Sequence, residues 1–119
     1  MFEIPVGNLL NSYPGDSQEL EFNGEVYDGF YEDLIFKSPL YLKLKLVNLD
    51  DGIMVIFDII ETEVEYEGNK KKIKIEKIER EFKEKFDTAN PDDIKYININ
   101  KSIIDLKDVI REEILMQCF

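Results

Sequence analysis

The clearest pattern in this chain is a regular alternation of leucines with other residues that begins at position 40. A period of two places alternate side chains on one face of an extended strand. The residues on that face are Leu40, Leu42, Leu44 and Leu46. After Asp51-Gly52, residues 53–57 are branched, aromatic or long apolar side chains, which favour a second strand. Because Gly can adopt the positive φ of a tight turn, the pattern predicts a central β hairpin over residues 39–66.

The second strand of this hairpin changes character along its length. Apolar residues occupy both faces up to Ile60, but beyond it only the even positions remain apolar, as far as Tyr66. This change is typical of a strand that is buried on both faces at one end and on one face at the other. It predicts a strongly bent sheet or a partial barrel. Glu67-Gly68-Asn69 predicts the next turn.

Residues 70–86 fit two structures. Lysines alternate with Ile73 and Ile75 at the start, which indicates a strand, whereas Ile75, Ile78, Phe82 and Phe86 are spaced as on a helix. A strand with a β-bulge near Glu76-Lys77 accounts for both patterns, because a bulge moves the apolar residues to the opposite parity. We therefore expect a basic strand over 70–86, with a helix as the alternative.

The carboxyl-terminal segment predicts a helix over residues 105–117. Asp105 is a candidate N-cap whose carboxylate can accept a hydrogen bond from an amide near Asp108. Ile104 and Val109 are placed to form a hydrophobic staple. One face of this helix is apolar and consists of Leu106, Val109, Ile110 and Ile114. Short strands at 2–6, 18–22, 34–36 and 94–99, with a helical turn at 7–11, complete an α+β fold that is mainly antiparallel.

Charge is unevenly distributed in this single domain of 119 residues, whose net charge is −11. Residues 1–36 contain acids but no Lys or Arg, whereas residues 70–85 are rich in basic side chains. An acidic chain repels phosphate at long range, which argues against general binding of nucleic acid. The acidic third is expected either to attract a basic protein or to keep the domain soluble. The candidate acidic partner surface consists of Glu19, Glu21, Glu25, Asp28, Glu32 and Asp33.

The basic strand is the second candidate for a binding surface. Its lysines can contact phosphates or an acidic surface, or they can protect a sheet edge against aggregation. The candidate residues for RNA or partner contact are Lys70, Lys71, Lys72, Lys74 and Lys77.

The residue types needed for most catalytic and metal sites are missing. The chain has no His and a single cysteine, Cys118, so it cannot supply a thiolate zinc site or a Ser–His or Cys–His nucleophile. The paired carboxylates Asp50-Asp51 and Asp92-Asp93 flank turn residues and are interpreted as turn residues. We expect a protein that is not an enzyme and binds no cofactor. With no signal peptide and no long apolar run, we expect no membrane association and a cytoplasmic location.

The order of several motifs resembles the YceD-like family, the large ribosomal RNA subunit accumulation proteins of bacteria. The matching segments are Phe2-Glu-Ile-Pro-Val-Gly-Asn-Leu-Leu, Glu19-Leu-Glu-Phe, Asp51-Gly-Ile-Met-Val, Glu79-Arg-Glu-Phe-Lys-Glu-Lys-Phe, and Ile104-Asp-Leu-Lys-Asp-Val-Ile-Arg-Glu-Glu-Ile-Leu. Together they cover nearly the whole chain. The family's cysteine pair is absent, because that position reads Tyr66-Glu-Gly-Asn.

This resemblance implies a function in ribosome biogenesis. The chain would support accumulation of large-subunit rRNA by binding that rRNA or a basic ribosomal protein, without catalysis. From charge alone, the protein partner is preferred. The alternative is a self-associating structural domain with no RNA role, in which a sheet edge pairs with a second copy as a homodimer.

Overall fold

The computed structural model describes residues 2–83, 95–97 and 101–119, which contain eight strands and two helices. The elements are β1 (Glu3–Pro5), α1 (Gly7–Leu10), β2 (Ser17–Gly24), β3 (Ile35–Phe36), β4 (Leu40–Leu49), β5 (Gly52–Tyr66), β6 (Asn69–Lys83), β7 (Lys95–Tyr96), β8 (Ile103–Asp105) and α2 (Lys107–Cys118). The short strands and the helical turn predicted before the hairpin are confirmed. Of the strand predicted at 94–99, residues 94, 98 and 99 lie outside the described residues.

The main sheet runs in the order β2-β4-β5-β6-β7, and β3 pairs with the end of β5 that extends beyond β4. All pairs are antiparallel except β6–β7, which is parallel. The strands β1 and β8 form a separate antiparallel pair. The predicted α+β class with a mainly antiparallel sheet and a carboxyl-terminal helix is therefore confirmed, and the sheet is open, not closed into a barrel.

The central hairpin forms as predicted, with β4 and β5 joined by a turn at Asp50-Asp51. The four alternating leucines of β4 are all buried. The predicted reason for Gly52 is wrong, because this residue begins β5 and is not among the positive-φ glycines. A Cβ atom at Gly52 would lie 2.2 Å from the carbonyl oxygen of Phe82. Gly52 therefore permits a close approach of β5 to β6.

The turn between β5 and β6 does use left-handed backbone. Glu67 has a φ of 51° and Gly68 a φ of 81°. Two successive positive φ values are typical of a type I′ turn, which matches the twist of the strands that it joins. This turn allows two long strands to pair from Tyr66 and Asn69 back to Gly52 and Lys83.

An irregularity in β5 changes which side chains face the core. Phe57 and Ile60 are both fully buried although their positions differ in parity. The register with β4 pairs Lys43 with Ile59 and Leu44 with Phe57, which leaves Asp58 as an extra residue. This β-bulge at an exposed Asp58 bends the strand and transfers its apolar residues to the other parity.

Strand β6 has the same change at the same level. Ile75 before the change and Phe82 after it are both buried although their positions differ in parity. Lys77, which lies between them, has a φ of 57°. The strand interpretation and the change of parity near Lys77 are confirmed, and the alternative of a helix is wrong. Residues 84–86 of the predicted strand, including Phe86, lie outside the described residues.

Helix α2 closes the core but begins two residues later than predicted. Leu106 occupies the N-cap position, and the carboxylate of Asp105 accepts from the amide of Lys107, at 2.9 Å, instead of from an amide near Asp108. The amide of Leu106 donates to the carbonyl of Phe2, at 2.9 Å, so the start of the helix is tied to the amino-terminal segment. The predicted apolar face is buried.

The buried side chains form one hydrophobic cluster that joins the inner face of the sheet, the amino-terminal segment and α2. None of the helices in the described part of the chain has the length and apolar character needed to cross a membrane.

Candidate functional site

The three alternating lysines of β6 lie on the outer face of the sheet, opposite glutamates. Lys70, Lys72 and Lys74 are exposed, as predicted. Ile73, between two of these lysines, and Ile75, which follows Lys74, are buried. The register pairs Lys70 with Glu65, Lys72 with Glu63 and Lys74 with Glu61 of β5. Side chains directly opposite in neighbouring strands lie close enough to interact. The lysines are therefore part of a surface on which positive and negative charges alternate, not a uniformly positive row.

The other two candidate lysines lie apart from this row. Lys71 is opposite Val64 and has the same parity as the buried Ile73, so it is on the other side of β6. Lys77 lies at the irregularity, with its positive φ. The structure therefore brings three of the five predicted contact lysines together and separates the remaining two.

Both arginines of the chain are used within the fold. Arg80 of β6 contacts Glu113 of α2, a residue that is only 3% exposed, through Nε at 3.0 Å and also through Nη2. Arg111 of α2 contacts Asp33 through Nε at 3.1 Å and Nη2 at 2.5 Å. Arginine is the side chain best suited to bidentate binding of phosphate. Since both arginines hold α2 in place, nucleic-acid binding would depend on lysines alone.

The predicted acidic surface is divided between two parts of the molecule. Glu19 and Glu21 lie on β2 opposite Lys45 and Lys43, respectively, within the alternating outer face. A hydrogen bond with Glu21 is the main cause that raises the pKa of Tyr41 above its usual value. These two glutamates therefore have basic or hydrogen-bonding neighbours.

The remaining predicted acids belong to the segment 25–34, which packs between the sheet and α2. Val26, Tyr31 and Leu34 are buried. The Tyr31 hydroxyl donates to the carbonyl of Lys107 at 2.8 Å. Burial is the main cause that raises the pKa of Tyr31 far above its usual value, and the negative charges of two aspartates add to it. The hydroxyl therefore stays protonated and donates throughout the neutral range.

Contacts of Phe30 and Asp33 also fix this segment. The ring of Phe30 meets the rings of Phe2 and Tyr31 edge-on, with centroid distances of 5.5 and 4.8 Å, and Lys107 Nζ lies 4.7 Å from the centre of Phe30. Asp33 is held by Arg111, as described above. The segment thus has no helix or strand, yet the rings of Phe30 and Tyr31 and its last carboxylate have defined partners.

The outward side of the segment presents negative charge next to an aromatic ring. Glu25, Asp28 and Glu32 are exposed, and none takes part in an ion pair in the part of the chain that the structure describes. Tyr27 is 63% exposed. We refer to Glu25, Tyr27, Asp28 and Glu32 as the acidic loop. Tyr27 was not among the predicted contact residues, although its position between Glu25 and Asp28 was a usable signal.

A shallow open groove of about 560 Å³ adjoins the acidic loop. Its lining includes Glu25, Tyr27 and Asp28 together with Lys37 and Pro39. Carboxylates and a tyrosine ring both attract cations, the ring through its negative face. The arrangement suits a chain segment that carries lysine or arginine.

The described residues provide little for catalysis or metal binding. Within residues 2–83, 95–97 and 101–119, no group of three or more His, Cys, Asp or Glu is placed to hold a metal ion. Asp51 of the turn binds Lys83 Nζ at 2.9 Å, whereas Asp92-Asp93 lie outside the described residues. Burial is the main cause that raises the pKa of the Cys118 thiol, which disfavours the reactive thiolate.

No protein-family model, no curated protein and no solved structure matches this chain. The resemblance to the YceD-like family therefore stays a prediction.

Proposed function

We propose that this chain is a non-enzymatic binding domain in large-subunit ribosome biogenesis, and that it supports rRNA accumulation by holding a basic ribosomal protein. The observation that carries the proposal is the acidic loop. It presents three exposed carboxylates without ion-pair partners among the described residues, and an exposed tyrosine, on a segment held by Tyr31 and Asp33. A preorganised surface of this kind binds a cationic segment at a lower entropic cost than a flexible one.

The charge arrangement favours a protein partner over direct binding of RNA. The net charge of −11 repels a phosphate backbone at long range. The lysine row of β6 is opposite glutamates, and both arginines are held by carboxylates of the fold. Lysines in such a row contribute local contacts to phosphate at most.

The assignment to ribosome biogenesis comes from the resemblance to the YceD-like family, and the acidic loop supplies the physical means. Segments that bind rRNA phosphates are rich in Lys and Arg, and in this proposal the acidic loop shields such a segment until it meets RNA. In this proposal the protein acts in the cytoplasm.

The test measures binding of the purified chain to two immobilised probes by biolayer interferometry. One probe is the total protein extracted from large ribosomal subunits, and the other is large-subunit rRNA freed of protein. We expect binding to the protein probe and none to rRNA at moderate salt. The triple variant Glu25→Lys/Asp28→Lys/Glu32→Lys should lose protein binding at least about tenfold, because each exposed charge contributes modestly and the reversal adds repulsion.

The matched control reverses charge on the other face. The triple variant Lys70→Glu/Lys72→Glu/Lys74→Glu should bind the protein probe as the wild type does. If this variant loses binding while the acidic-loop variant keeps it, the acidic loop is not the contact surface. Binding of wild type to rRNA alone, abolished in the lysine variant, would contradict the preference for a protein partner.

A further inference from the structure

In the described part of the chain, strand β6 has no pairing partner along most of one edge. One edge pairs with β5 from Asn69 to Lys83, but the other pairs with β7 only at Phe82 and Lys83. Within residues 2–83, 95–97 and 101–119, no strand pairs with the outer edge of β6 from Asn69 to Glu81. An exposed edge of this kind presents backbone amides and carbonyls to any strand that can lie beside it.

The charges along this edge are ordered. On the outer face, the half of β6 that precedes Lys77 carries the lysine row and ends in Glu76. The half that follows carries Glu79 and Glu81 and ends in Lys83, which contacts Glu81. Glu79 is opposite Ile56 and Glu81 opposite Met54, two positions on the outer face of β5. The change of parity at Lys77 thus leaves the acids of the second half on the same outer face as the lysines of the first half.

A strand whose outer face is mainly basic in its first half and mainly acidic in its second is complementary to itself when two copies run antiparallel. We propose that two copies of this chain pair through the outer edges of β6, related by a two-fold axis near the middle of the strand. Lys70 and Lys72 of one copy then lie opposite Glu81 and Glu79 of the other. A shift of two residues, with Lys72 opposite Glu81 and Lys74 opposite Glu79, preserves the same match of charges.

The inner face of the same edge distinguishes the two registers. When Lys72 faces Glu79, Ile73 lies opposite Ile78, but the buried Ile75 lies opposite the exposed Glu76. When Lys74 faces Glu79, Ile75 lies opposite Ile78, and Glu76 lies opposite Lys77. Ile73 is buried and Ile78 is half-buried against the core. Only registers that join the two halves across Lys77 place outer residues opposite outer residues and apolar residues opposite apolar residues, because the parity changes there. Charge order allows both registers, and apolar order selects the one with Lys74 opposite Glu79 and Lys72 opposite Glu81. This inference is independent of the acidic loop.

The test is the oligomeric state, measured by sedimentation velocity from about 1 to about 200 µM protein. We expect a reversible dimer at the upper concentrations, weakened as salt rises from about 50 to about 300 mM, because the matched charges are exposed. Lysines and an irregular backbone also occur on edges that evolution has protected against pairing. A monomer at all concentrations would mean that β6 is such a protected edge, and would overturn the proposal.

Charge reversal tests the register. The variant Lys70→Glu/Lys72→Glu/Lys74→Glu and the variant Glu79→Lys/Glu81→Lys should each raise the dimer dissociation constant at least about tenfold, because every matched pair occurs twice in the dimer and becomes repulsive. An equimolar mixture of the two variants should form a heterodimer about as strong as the wild-type dimer. Dimers that persist in both variants, or a mixture that stays monomeric, would overturn the pairing.

A control separates the edge from general charge effects. The variant Lys43→Glu/Lys45→Glu reverses two lysines on β4, which lies between β2 and β5 and has no open edge. It should dimerise as the wild type does. Circular dichroism melts establish that each variant is folded. If one of the two β6 variants is unfolded, the other β6 variant is compared with the β4 control. Loss of the dimer in the folded β6 variant but not in the control supports the proposal. Loss of the dimer in both the β6 variant and the control contradicts it.

Discussion

The ion pair between Arg80 and Glu113 should be the most sensitive polar contact in the fold. It joins β6 to α2, and the Glu113 side chain is only 4% exposed, whereas the Arg80 side chain is 26% exposed. Replacing Arg80 by Met keeps the aliphatic volume but leaves a buried carboxylate without its cation. Breaking a buried pair in this way costs about 3–5 kcal/mol. Because Arg80 retains contact with water, we expect the lower end, about 3 kcal/mol.

For a chain of this size, such a loss lowers the melting temperature by about 10–15 °C. The free energy of unfolding is measured by urea titration, and the melting temperature by circular dichroism. The double variant Arg80→Met/Glu113→Leu should recover most of the loss, because replacing both charges by apolar groups removes the need to solvate either. The variant Arg111→Met is the matched control. Its pair with Asp33 has 41% and 31% of the two side chains exposed, so its loss should stay below about 1 kcal/mol.

If Arg80→Met costs less than about 1 kcal/mol with an unchanged urea dependence, the pair does not hold α2 on the sheet as the geometry indicates. A double variant as unstable as Arg80→Met alone would contradict the explanation by an unpaired buried charge. It would point instead to lost packing of the arginine stem.

Two further substitutions test local geometry. Gly52→Ala should cost about 2–3 kcal/mol in urea titration, because the new Cβ lies 2.2 Å from the Phe82 carbonyl oxygen. Gly7→Ala, with its nearest contact at 3.5 Å, should be neutral or slightly stabilising. Equal changes in the free energy of unfolding for the two variants would refute the close approach of β5 to β6 at Gly52. Tyr31→Phe should cost about 1 kcal/mol at pH 8, because it removes the hydrogen bond to Lys107. The raised pKa of Tyr31 stabilises the fold below the unfolded value of about 10, and this contribution is lost as pH rises above it. The difference between wild type and Tyr31→Phe should therefore shrink at pH values above about 10, and a constant difference would contradict the burial of the phenol.

Much of the sheet could be predicted from the sequence, because burial on one face imposes a period of two. The alternating leucines of β4 and the change of parity in β6 near Lys77 were both visible in this way. The bulge at Asp58 could not be predicted, because apolar residues occupy both parities of β5 on either side of it. The role of Gly52 was misjudged, since the strand that approaches it lies thirty positions further along the chain, at Phe82.

The candidate surfaces were less predictable than the fold. Runs of charge along the chain indicated where acids and lysines lie, but not which strand lies opposite them. The register of β5 with β6 places glutamates against the lysine row. Likewise, Glu19 and Asp33 belong to the same acidic third of the chain. Glu19 lies opposite a lysine of β4, whereas Asp33 binds Arg111. Only the three-dimensional structure distinguishes acids with basic partners from the exposed acids of the loop.

The most direct test of the proposed function is an affinity purification of the tagged chain from its own cells, with and without ribonuclease treatment. The wild type and the acidic-loop variant are compared, and bound proteins and RNA are both identified. The proposal predicts that a basic protein of the large ribosomal subunit is enriched with the wild type, remains after ribonuclease treatment, and is lost with the acidic-loop variant. Recovery of large-subunit rRNA whose protein companions disappear with ribonuclease, or recovery of the chain alone, would contradict it.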